Sequence, residues 1–189
     1  MSVAASVSSG LQAAFMLARG RSDGVERVDT DVHGVRRSFW AIALTLPAIL
    51  CLRLVAWIGA GARAGDGHAL ALDLLVFIVG WLAFAVVSYH VAPLLGRANR
   101  WPRYIIVWNW CNVVENLLLV LGSIPGLLGA PSVVDEAAQL FTLGWALWLE
   151  WYATRVALDV GGVTAGGLVL LDETIGLFLA AIAVSLGGL

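Results

Sequence analysis

Lysine is absent from this chain, and charge of either sign is scarce: eleven arginines and thirteen acids amount to 13% of 189 residues, where an ordinary soluble domain carries about 25%. A net charge of -2 excludes a general electrostatic attraction to nucleic acid. Cysteine is nearly absent as well. Cys51 and Cys111 stand alone inside apolar runs, which excludes a disulfide framework and any cysteine-based metal spacing and leaves both as packing residues. The histidines, His33, His68 and His90, fall in separate parts of the chain, and no HExxH, GxSxG or phosphate-loop pattern occurs. These absences point to no metal, no cofactor and no enzymatic activity.

Hydrocarbon is what the chain has in abundance, with 60% hydrophobic residues and nine tryptophans. An apolar run of about 20 residues crosses a bilayer core about 30 Å thick, and five such runs can be placed, at 39–60, 69–94, 103–124, 137–157 and 163–187. Breaks rich in Gly, Pro or charge separate them, such as GARAGDGH before His68 and GRANRWPR before Tyr104. The expected fold is all-α: a polytopic integral membrane protein in which residues 39–189 form a bundle of about five transmembrane helices, preceded by residues 1–38 with a short amphipathic helix.

The arginines set the orientation. Arg19, Arg21, Arg27, Arg36 and Arg37 precede the first run, Arg97, Arg100 and Arg103 lie between the second and third, and Arg155 ends the fourth, so all share one side; Arg63, Asp135 and Glu136 fall on the other. Short cytoplasmic loops retain arginine, so the expected setting is a bacterial cytoplasmic membrane with the N-terminus inside and the C-terminus outside. Trp40, Trp57 and Trp101 stand at run ends, as interfacial anchors do. The start lacks a basic region and a cleavage site, so the N-terminal segment is expected to stay. There Val7, Leu11, Ala14, Phe15 and Ala18 share a helical face, which would lie along the inner leaflet with Arg19 and Arg21 among the headgroups.

One greasy run carries the polar stretch NWCNVVEN. Turning about 100° per residue from Asn109, Asn112 lies at about 300°, Glu115 at about 240° and Asn116 at about 340°. All four occupy one arc, and Val107, Cys111, Val114 and Leu118 occupy the other side, which is expected to face lipid. A central carboxylate costs about 3 kcal/mol to insert, and each aliphatic residue offsets roughly 0.3–0.6. The run is long enough to carry Glu115.

In the fifth run Gly162, Ala165, Gly166, Val169, Asp172, Glu173, Gly176 and Ala180 share one face, with Leu168, Leu171, Ile175, Phe178, Leu179 and Ile182 on the other. Gly162 to Gly166 is a small-xxx-small step of the kind that packs membrane helices, and Gly176 extends the stripe. In the fourth run Trp145, Trp148, Trp151 and Tyr152 form a stripe expected to face lipid, while Glu150 and Thr154 turn toward protein. At about 1.5 Å per residue, Glu115 and Asp172 each lie roughly 18 Å from the cytoplasmic start of their helix, near the midplane. Arg53 and Asp73 are a candidate ion pair across the first hairpin; no arginine matches Glu115, Asp172 or Glu173 in depth.

Two functions fit this pattern. Amides and acids act as interhelical glue, worth about 0.6 kcal/mol per contact, which makes the chain a non-enzymatic, membrane-organising or partner-docking subunit. Its partners are then the lipid bilayer and either copies of itself or a larger membrane complex. The alternative is a small transporter or channel-like protein moving protons, cations or a small solute through midplane carboxylates, because intramembrane ionisable groups mark functional sites. The plan of a cytoplasmic N-terminal segment followed by five spans ending outside resembles, over residues 39–189, that of bacterial Yip1-like membrane proteins. This resemblance implies membrane organisation and partner binding.

Overall fold

The computed structural model describes residues 3–60 and 66–187; Arg63 and the side chain of Trp57 lie outside the described residues. Helix α1 covers Val3–Leu17, a 3-10 turn Ser22–Arg27, α2 Val32–Ser38, α3 Trp40–Ala60, α4 Asp66–Leu94, a second 3-10 turn Ala98–Arg100, α5 Trp101–Gly122, α6 Ile124–Leu127, α7 Ser132–Leu158 and α8 Gly162–Gly187; no strand occurs among the described residues. The boundaries have local causes. Asp31 caps α2 by accepting from the Gly34 amide. Beyond α4, Gly96 takes a φ of 67°, which lets the Arg97 N–H fold back onto the Ala92 carbonyl at 2.8 Å. Pro102 sits in the first turn of α5, where its missing N–H has no helical acceptor to lose.

Four helical segments are long and apolar enough to cross a membrane: Val32–Ala56, Gly67–Leu94, Ala98–Leu127 and Gly162–Ser185. With the shorter apolar α1, they make this an all-α membrane protein. The expected run at 137–157 falls in α7, which is not among the four. At 27 residues α7 is long enough, but Gln139, Glu150 and its aromatic stripe dilute its apolar character. It nonetheless lies antiparallel along α5. Thr142 abuts Gly122 at one end, and Arg103 Nε donates to the Ala157 carbonyl at 3.1 Å at the other.

Helix α5 is the axis of the bundle: 61% of its apolar window is buried, against 17%, 17% and 11% in the other three. Val107, Cys111 and Val114, expected against lipid, are at most 3% exposed, and Leu118 packs on the core. The cause is that α1, α2, α3 and α7 all pack on α5, so its middle has no lipid side. Helix α1 is seated against α5. Its small and apolar residues Ser6, Gly10, Ala13, Ala14 and Leu17 are buried; a methyl at Gly10 would fall inside the Trp110 indole. Close seating of small residues gains dispersion that a leaflet surface does not provide.

Helix α8 buries Ala165 and Val169 of its expected inward face, and part of the other face packs inward as well. Leu168 is buried and Leu171 and Ile175 pack on the core, whereas Glu173 and Gly176 are exposed. Packed against both α4 and α7, α8 meets its neighbours with residues of both faces, Ala165 and Val169 beside Leu168. Gly162 and Gly166 do pack, against an indole: a Cβ there would lie 3.2 Å and 4.0 Å from the Trp151 ring, and nothing lies within 4 Å of one at Gly176. The α7 aromatics are only partly free for lipid. Trp145 Nε1 donates to the Ala18 carbonyl at 3.3 Å and the Tyr152 hydroxyl to the Gly20 carbonyl at 2.7 Å, tying the end of α1 to α7.

Candidate functional site

The polar residues of α5 divide into two groups. Asn109 is fully buried and acts as a bracket: its Oδ1 accepts from Trp81 Nε1 of α4 at 2.6 Å, and its Nδ2 donates to Ser38 Oγ of α2 at 2.7 Å. Ser38 in turn donates to the Val35 carbonyl at 2.7 Å. Every member of that chain has a partner, and its role is to hold three helices together. Asn112 and Asn116 are half-buried and donate to carbonyls of their own helix, Trp108 O at 3.1 Å and Asn112 O at 2.9 Å.

The acids form the second group. Glu115 of α5 is 8% exposed and Glu150 of α7 is 5% exposed, and Asp172 of α8 stands half-buried beside them. The Glu150 and Asp172 carboxyls come within hydrogen-bonding reach of each other, and Glu115 lies within electrostatic range of Asp172 and Glu173. Trp108 Nε1 donates to Asp172 Oδ2 at 3.0 Å. A hydrogen bond between two carboxyl groups would need a proton on one of them.

Four buried oxygens around this contact have no hydrogen-bond partner: Tyr104 OH, Glu115 Oε1, Glu150 Oε1 and Thr154 Oγ1. Tyr104 and Thr154 are 1% and 0% exposed, and their side chains lie close to each other. Orphaned buried oxygens are costly, about 1–3 kcal/mol each. A small cavity of about 170 Å³ adjoins the cluster, lined by Phe77, Trp81, Trp108, Asn112, Asp172 and Gly176 among others. No group of three or more His, Cys, Asp or Glu among the described residues has the geometry to hold a metal ion.

The structure thus brings Glu115, Glu150 and Asp172 together and leaves Glu173 on the surface of α8. Arg53 and Asp73 meet elsewhere, Nη2 to Oδ1 at 2.9 Å between α3 and α4. Tyr104 and Trp108 were missed as site residues by sequence reasoning, although Trp108 lies one turn before Asn112 on the polar arc of α5 and was legible there. No family model, curated protein or solved structure matches the chain.

Proposed function

We propose that this is a non-enzymatic, multi-pass protein of a bacterial cytoplasmic membrane, N-terminus inside and C-terminus outside, whose interior takes up and relays a cation, the proton foremost. The observation that carries this reading is the gathering of the Glu115, Glu150 and Asp172 side chains beside buried oxygens that lack a hydrogen-bond partner among the described residues; a proton shared by Glu150 and Asp172 is part of the proposal. Polar groups that served only to glue helices would be satisfied, as Asn109 is. Tyr104 and Thr154 extend the cluster toward the end of α5 that carries Arg103, and a small, mostly apolar cavity adjoins Asp172. This reading takes α7, which lies antiparallel along α5, as a fifth crossing, and the orientation rests on that count.

Infrared difference spectroscopy of the reconstituted chain tests the shared proton. Glu150→Gln and Asp172→Asn should each remove the same protonated-carboxyl band, because that band belongs to the pair. Two separate bands, each lost in one variant only, would refute the shared site.

One observation favours the docking reading. Glu173 and Gly176 are exposed on an apolar helix, where an acid facing lipid is expensive and a second helix would shield it. A homo-oligomer or a larger membrane complex formed through α8 fits this surface, and membrane organisation of the Yip1-like kind would follow from it. Crosslinking across Gly176→Cys in a native-like bilayer discriminates: a specific larger species supports docking, and a strictly monomeric chain removes it.

A further inference from the structure

A second polar cavity, of about 300 Å³, lies at the opposite end of α5 from its junction with α6 and is lined by Thr30, Asn99, Arg100 and Arg103. We infer that it binds the phosphate of an anionic phospholipid headgroup. Three segments of the fold converge there. The segment before α2 contributes Thr30, the 3-10 turn contributes Asn99 and Arg100, and the first turn of α5 contributes Arg103. Asp159, which ends α7, orients the arginines: it pairs with Arg100 at 3.1 Å and with Arg97 at 3.8 Å, and its carbonyl accepts from Arg97 Nε at 3.0 Å.

Arg103 spends only Nε, on the Ala157 carbonyl at 3.1 Å, which leaves the outer edge of its guanidinium to a ligand. That edge matches two phosphate oxygens. The start of α5 has no side-chain cap, and the positive end of the helix lies in the same region. Glu26 is within electrostatic range of Arg103, but three arginines against Glu26 and Asp159 leave the region cationic. Thr30 and Asn99 add neutral donors. Trp101, at the foot of the apolar helix beside the pocket, marks the headgroup level, where anionic lipids concentrate and basic pockets between helices hold their headgroups. A zwitterionic headgroup brings its own cation and is disfavoured beside Arg100 and Arg103.

The test is lipid retention by the full chain, purified from micelles containing equal amounts of phosphatidylglycerol and phosphatidylcholine and read by mass spectrometry of the intact complex. Phosphatidylglycerol should be retained in preference. Arg103→Gln should lower its retention about fivefold, with Arg36→Gln, an exposed cytoplasmic arginine, as the unchanged control. Because Arg103 also holds α7, Thr30→Val and Arg100→Gln provide independent losses at a lining hydroxyl and a second guanidinium. Equal retention of both lipids, or full retention in all the variants, overturns the assignment. So does displacement of the lipid by excess inorganic phosphate alone, which would assign the pocket to a free phosphate instead.

Discussion

Trp108 Nε1 donates to Asp172 Oδ2 at 3.0 Å, joining the axis of the bundle to α8 at the edge of the carboxyl cluster. A phenylalanine at position 108 keeps most of the ring and loses the donor. Trp108→Phe is therefore expected to lower the unfolding free energy in detergent by about 1–3 kcal/mol, and Asp172→Asn, which retains an acceptor for the indole, by less. Equal stability of Trp108→Phe and wild type would mean that the bond does not hold α8.

Seating of α1 on α5 is tested at Gly10. Added volume at a well-packed contact costs about 1–3 kcal/mol, and Gly10 sits on the Trp110 indole next to buried Cys111. In a Cys51→Ala background, Gly10→Ala is expected to lower the melting temperature and to speed maleimide labelling of Cys111. Gly67→Ala, with nothing near its Cβ, should change neither. Unaltered labelling in Gly10→Ala would show that α1 does not cover the axis.

The helical class and the apolar runs were legible in the sequence because a bilayer demands length and hydrocarbon from each crossing helix, and both are local properties. The faces were less legible. Val107, Cys111 and Val114 look like a lipid stripe, since a helix surrounded by other helices and one facing lipid use the same aliphatic residues. Only the decision of α1 and α2 to pack on α5 distinguishes them, and that depends on residues separated by most of the chain. Glu150 was readable as inward-facing from its opposition to the aromatic stripe of α7. Its contact with Asp172 was not, because the relative rotation of α7 and α8 is set by Trp151 lying against Gly162 and Gly166.

Arg53 and Asp73 lie within apolar helices, so the loss of one strands the other. Asp73→Asn is expected to cost about 2–3 kcal/mol, and the double variant Arg53→Met with Asp73→Leu to recover most of that loss, because an apolar pair carries no desolvation cost. Chemical denaturation of all three variants gives the coupling. Single-variant losses below about 1 kcal/mol would place the pair in water, where exposed ion pairs contribute little.

The most direct test of the interior cation path is proton flux into proteoliposomes holding a dye-reported pH gradient, with the reconstituted amount and fold matched between variants. Wild type is expected to dissipate the gradient faster than empty vesicles, Glu150→Gln and Glu115→Gln to fall to the empty-vesicle rate, and Asn116→Ala, outside the carboxyl ring, to keep the wild-type rate. A wild-type rate equal to that of empty vesicles, or undiminished flux in both glutamine variants, would contradict a proton path through the cluster.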